Sequence, residues 1–193
     1  MISHLKGRLV EKNPTHVVIE CAGVGYFVNI SLHTYSQISD TESIQLFTHL
    51  LVREDAHILY GFVENAEREI FRLLLSVSGI GASTARTLLS SLSPEQTRDA
   101  IASGDVAKIQ AVKGIGAKTA QRVIVDLKDK ILKFYDISEV SPNSNNTNRE
   151  EALSALEVLG FIRKQAERAV DKVISQDPSM SVEDIIKLAL QNL

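Results

Sequence analysis

Two glycine-centred segments hold the residue types best suited to bind an anion. Val77-Ser78-Gly79-Ile80-Gly81-Ala82-Ser83-Thr84-Ala85 recurs 35 residues later as Val112-Lys113-Gly114-Ile115-Gly116-Ala117-Lys118-Thr119-Ala120, with seven of nine positions identical. Gly-Ile-Gly between apolar residues describes two helices joined by a tight turn. Glycine, here Gly79, Gly81, Gly114 and Gly116, allows backbone angles forbidden to other residues and lets a second molecule come close. The amides that open the following helix have no intrahelical acceptor and lie at the positive end of its dipole. Such a place suits a phosphate, and two of them suit two phosphates of a nucleic-acid backbone gripped without reading bases. In the second copy Lys113, Lys118 and Arg122 flank the glycines; in the first, Ser83 stands where the second has Lys118, and Arg86 is the nearest cation. Ser83 is expected either to cap its helix or to donate to a phosphate, and the first hairpin to be the weaker site. Taken singly, each feature also fits a plain helix connector or a solvated helix face.

The other chemically suggestive segment is Arg53-Glu54-Asp55-Ala56. Adjacent acids on a turn diverge, and no further acid cluster completes a metal site, so Glu54 and Asp55 read as electrostatic or structural groups of a polar hairpin tip. The histidines His4, His16, His33, His49 and His57 have no evident nucleophile partner and read as packing or surface groups. No G-x-x-x-x-G-K-[ST] phosphate loop occurs, no Cys/His spacing suggests zinc, and no cofactor is expected. The single cysteine, Cys21, is expected as a buried structural thiol and fits a reducing compartment. No apolar run is long enough to span a membrane, and the opening Met1-Ile2-Ser3-His4-Leu5-Lys6 lacks a signal-peptide core. A cytoplasmic protein without membrane attachment is expected.

The elements that must position these residues fall into three blocks of a multidomain α+β chain. Residues 1–63 read as β, with strands at Gly7–Lys12, His16–Cys21, Val24–Ile30, Ser43–Val52 and His57–Phe62. They are rich in Val, Ile, Phe, Tyr and Thr and are punctuated by Asn13-Pro14 and Gly23. Five short strands in so small a span predict an oligonucleotide/oligosaccharide-binding (OB) type five-stranded β-barrel. Residues 64–135 turn helical: Ile70, Leu73, Leu74 and Val77 keep the i, i+3, i+4, i+7 spacing. Thr84–Leu92 is the next helix, Ser93-Pro94-Glu95-Gln96 is a capping-box start, and Thr119–Lys133 follows the second turn. Residues 136–148 are polar and rich in Ser and Asn, as in a flexible linker. Residues 149–193 form a small three-helix (UBA-like) tail, with helices at Glu150–Leu159, Arg163–Ser175 and from Ser181 to Leu190, and Gly160 as a C-terminal cap. Tethered by a polar linker, that tail is expected to bind a partner.

Charge follows the blocks. Residues 1–62 carry four basic and six acidic side chains, 63–135 eleven and eight, and 136–193 six and ten, for a chain total of −3. The only basic third is the one with the repeated hairpins, and local field decides where a polyanion docks. Three functional classes stay open on these grounds: a structure-specific DNA-binding subunit, a helix-hairpin-helix subunit of a DNA-repair nuclease or glycosylase, and a protein-interaction adaptor.

The whole chain resembles the RuvA family of bacterial Holliday-junction proteins. The opening Met-Ile-x-x-Leu-x-Gly, then Gly23-Val24-Gly25-Tyr26, resemble its N-terminal signatures. Thr48-His49, Val52-Arg53-Glu54-Asp55-Ala56 and Leu59-Tyr60-Gly61-Phe62 resemble its most distinctive segment, and the two Gly-Ile-Gly hairpins follow at its spacing. The resemblance implies a non-catalytic homotetramer, alone or as a pair of tetramers, that holds a four-way DNA junction open. It implies work in branch migration during recombination, DNA repair and the SOS response. It makes Glu54 and Asp55 an acidic pin at the junction centre, where they repel phosphates, and gives Arg53 a phosphate or base contact beside them. It implies that the tail docks the hexameric RuvB motor ATPase, with Leu156, Leu159 and Phe161 as apolar anchors or as core, and that the RuvC junction endonuclease is a further partner. Ser83 departs from the lysine common in the family's first hairpin.

Overall fold

The computed structural model describes every residue except 40–41, 140–143, 176 and 178–179; for 132–139 and 144–147 only the helix to which they belong is described. The chain divides into two compact units, Met1–Tyr135 and Asp136–Leu193.

The first unit begins with a closed barrel. Its strands β1 (His4–Asn13), β2 (His16–Cys21), β3 (Val24–Ile30), β4 (Ser43–Val52) and β5 (His57–Phe62) pair in the order β1-β2-β3-β5-β4, and β4 returns to β1. Among the described residues, only β3 and β5 pair in parallel. Closure removes the unpaired edges that would otherwise recruit other chains. Strand alternation turns Val17 and Ile19, Val28 and Ile30, and Leu46 and Leu59 into one core with Leu5 and Ile38. The β2–β3 hairpin turns on Ala22 and Gly23, with φ of 48° and 84°, the two positive angles a tight hairpin needs. Cys21, expected as a buried thiol, is only half-buried, and its Sγ donates to the Lys6 carbonyl at 3.3 Å.

Between β3 and β4 lies a helix that periodicity does not announce, α1 (Leu32–Gln37). Ser31 caps it, its Oγ accepting from the Thr34 amide at 2.9 Å. The helical block then runs through α2 (Asn65–Leu75), α3 (Ala82–Ser91), α4 (Pro94–Ser103), α5 (Val106–Gln110) and α6 (Ala117–Glu139). The capping box at Ser93 and Gln96 forms as the sequence predicts: Ser93 N donates to Gln96 Oε1 at 3.0 Å, and Gln96 N to Ser93 Oγ at 3.2 Å.

Barrel and helices share a core. Tyr60 and Phe62 of β5 each lie with ring centroids 5.0 Å from Phe71 of α2, inside a cluster that includes Leu74, Leu88, Ile101, Ile109, Leu127 and Ile131. Each such side chain contributes roughly 1.5–3 kcal/mol by leaving water. A fully buried carboxylate adds a polar tie. Glu67 of α2 accepts from Ser31 Oγ at 2.5 Å and from Thr34 Oγ1 at 2.6 Å. Burial pushes its pKa up, against the opposing hydrogen bonds from Ser31 and Thr34.

The second unit packs α7 (Ser144–Val158), α8 (Arg163–Ile174) and α9 (Val182–Leu190) around Leu153, Leu156, Val170, Val173 and Ile185. Gly160, at φ 97°, ends α7, and Phe161 N returns to the Leu156 carbonyl at 3.0 Å. Arg149 grips both carboxylate oxygens of Asp171, at 2.6 and 3.1 Å. Of the expected linker 136–148, α6 reaches Glu139 and α7 starts at Ser144, while 140–143 lie outside the described residues. Ser and Asn are good residues for the start of a helix, and extending a nucleated helix costs little.

Candidate nucleic-acid interface

The two hairpins match bond by bond. In the first, Ile80 N donates to the Val77 carbonyl at 3.0 Å and Ala85 N to that of Gly81 at 2.9 Å; in the second, Ile115 N donates to Val112 at 3.1 Å and Ala120 N to Gly116 at 2.9 Å. Gly79 and Gly114 hold φ of 96° and 93°, where a side chain would be strained. Val77, Ile80, Val112 and Ile115 are buried, and this clamps each turn to the core beneath it. Gly79, Gly81, Gly114 and Gly116 stay exposed above it. A Cβ built on Gly81, Gly114 or Gly116 would meet nothing within 4 Å, so both turns offer open backbone. Gly81 is the N-cap of α3 and provides no side-chain acceptor. The first amides of α3, and those of α6 ahead of Ala120, are therefore free for an external anion.

The structure brings the hairpins side by side. Arg122 of α6 sends Nη1 to the Ser78 carbonyl of the first turn at 3.0 Å. Thr119 lies 3.7 Å from where a Cβ on Gly79 would sit. The second hairpin's helix thus delivers a cation to the first turn, the one without a lysine. Lys113 and Lys118 are exposed around the second turn. Ser83 is exposed in the first turn of α3 and is not its cap, a role that falls to Gly81. Arg86 differs most from the sequence expectation. Its Nη1 turns away from the glycines to the barrel, donating to the Thr15 carbonyl at 3.1 Å and to Asn29 Oδ1 at 3.0 Å.

Arg53, Glu54 and Asp55 form the exposed tip between β4 and β5, closed by Arg53 N donating to the Ala56 carbonyl at 2.8 Å. Among the described residues none of the three side chains has a partner, so the acids present bare negative charge on a rigid strand pair. No group of three metal-ligating side chains exists among the described residues. His16 stacks on Phe27 and His49 meets the edge of Phe71, while His4 and His57 are exposed. Burial, then Arg72 and Arg68, lower the His49 pKa. No described helix is long and apolar enough to cross a membrane.

In the second unit, Leu156 is fully buried and belongs to the core, which removes it as a docking anchor. Phe161 packs half-buried against the same core. Leu159 is 58% exposed, and Val158 and Ile162 beside it are 85% and 67% exposed. Sequence reasoning missed Val158 and Ile162, which stand at the α7–α8 corner where the helical period breaks.

A closed five-stranded barrel fused to a helix-hairpin-helix tandem, with a separate three-helix unit, defines the class of this protein. The same division appears in comparison with known families. Residues 1–61 match the RuvA N terminal domain, 71–129 the SAM-like helix-hairpin-helix tandem, and 147–193 the RuvA C-terminal domain. The chain is 64% identical over 193 residues to a Christiangramia forsetii protein and 62% to a Flavobacterium psychrophilum protein, covering all of both chains in each case. It is 48% identical over 202 aligned positions to a Porphyromonas gingivalis protein, again over all of both chains. Each of these relatives is named Holliday junction branch migration complex subunit RuvA. The chain belongs to the RuvA family.

Proposed function

We propose that this protein is the non-catalytic, junction-recognising subunit of a cytoplasmic branch migration complex. Four copies as one tetramer, or eight as a facing pair of tetramers, grip the arms of a four-way DNA junction through their backbones. The observation that carries this reading is the pair of congruent hairpins set side by side, with open glycine backbone and exposed Lys113 and Lys118. Two adjacent open backbone turns fit one duplex arm held by its phosphates without sequence readout. Residues 64–135 act as the arm grip and 1–63 as the centre. There Glu54 and Asp55 repel phosphates and disfavour continuous duplex, and Arg53 offers the compensating contact.

Residues 149–193 dock the hexameric RuvB ATPase that drives migration, with Leu159 and its exposed neighbours Val158 and Ile162 as the apolar contact. The junction endonuclease RuvC acts on the same complex. The stoichiometry is testable by sedimentation of the full chain with a synthetic four-way junction. Complexes of four or eight chains per junction are expected. A single chain bound per junction, at saturating protein, would contradict the assembly.

A further inference from the structure

We propose that Arg86 is a positioning residue that fixes the first hairpin in register with the acid-tipped strand pair, and that it holds no phosphate itself. The proposal rests on the junction-binding reading above.

The tie runs through one asparagine. Asn29 of β3 donates through Nδ2 to the Leu59 carbonyl of β5 at 3.2 Å, while its Oδ1 accepts from Arg86 Nη1 at 3.0 Å. The same Nη1 donates to the Thr15 carbonyl, in the β1–β2 turn, at 3.1 Å. Both hydrogens of that nitrogen are therefore used, and the guanidinium joins the β1–β2 turn, β3 and, through Asn29, β5. The acidic turn 53–56 leads directly into β5. Arg86 itself lies on α3, the helix that opens at Gly81. A second tie follows one turn along α3. Ser90 Oγ accepts from the Leu32 amide at 3.1 Å and donates to the Arg86 carbonyl at 2.8 Å. The two bonds from the Arg86 guanidinium have a charged donor, the stronger kind of hydrogen bond, and the one to Asn29 is partly buried.

The mechanical consequence concerns four-way DNA alone. A linear duplex engages the hairpins and places no demand on where the acidic turn lies. A junction must meet the hairpins and the centre at once, and the gain from simultaneous contact vanishes when geometry forbids it. Loosening α3 from the barrel should therefore reduce preference for the junction while leaving the grip on duplex intact.

The test compares the full-length protein with Arg86→Ala, Asn29→Ala and the double variant, measuring affinity for a four-way junction and for linear duplex across a salt series. Each variant should lower the junction-over-duplex preference by a similar factor, roughly tenfold, with the double no worse than either single because the two residues act as one unit. Affinity for duplex and its salt slope should not change. A fall of about one unit in the duplex salt slope for Arg86→Ala would show a phosphate ligand acting through the remaining guanidinium N–H groups and would overturn the proposal. Asn29→Ala keeps the cation and decides the matter even if Arg86→Ala folds poorly: retained junction preference there sinks the proposal alone. Absence of junction preference in the unaltered protein would instead sink the reading on which it rests.

Discussion

At the scale of single residues, the cations around the glycine turns divide by what their nitrogens already touch. Arg86 is tied to Thr15 and Asn29, and Arg122 is shared with the Ser78 carbonyl. Lys118 is exposed at the start of α6, where its ammonium adds to the open amides. Ser83, its counterpart, adds a neutral hydroxyl. Lys118→Ala should therefore weaken junction binding more than Ser83→Ala and reduce the salt slope by roughly one unit per protomer contact, while Ser83→Ala leaves the slope unchanged. Equal or reversed losses in a salt-dependent titration would contradict this ranking. The presence of lysine and glycine was readable from residue identity and spacing. The tie made by Arg86 was not, because its partner Asn29 is 57 residues away and charge alone does not say where a guanidinium points. Leu156 and Leu159 show the same limit: three residues apart at the end of α7, one is core and the other is exposed.

At the scale of elements, strands were legible where two faces meet different surroundings. Val17 and Ile19 face inward while Val18 is half-exposed, and this alternation marks β2 in the sequence as plainly as in the barrel. α1 was illegible because Leu32-His33-Thr34-Tyr35-Ser36-Gln37 is too short to show a helical period. Tertiary bonds hold it instead, chiefly Glu67 with Ser31 and Thr34. That buried carboxylate makes stability depend on pH. Its folded-state pKa is raised, so the folded protein keeps the proton longer than the unfolded chain. The stability tied to the proton is full below the ordinary glutamate range and is lost as pH rises through the raised value. Glu67→Gln removes the titration and keeps the shape. The thermal midpoint of Glu67→Gln relative to the unaltered protein should rise as pH increases above the ordinary glutamate range, about pH 4. A constant difference as pH rises would show that Glu67 titrates normally. Glu67→Ala, which also orphans two buried hydroxyls, should cost about 2–4 kcal/mol in denaturant unfolding.

At the scale of the whole molecule, the proposed function asks a chain of net charge −3 to bind a polyanion, and the chain segregates its charges. The excess of basic residues lies in 63–135, with the hairpins, and bare acids stand at the barrel tip. In the proposed arrangement, attraction along the arms and repulsion at the centre would together favour DNA whose strands separate, which linear duplex does not offer. The most direct measurement is competition for the full-length protein between labelled four-way junction and unlabelled linear duplex of the same sequence, at low and at moderate salt. The account predicts that the junction stays bound against a large excess of duplex and that its advantage persists at moderate salt. Equal displacement by both DNAs at either salt concentration would contradict it.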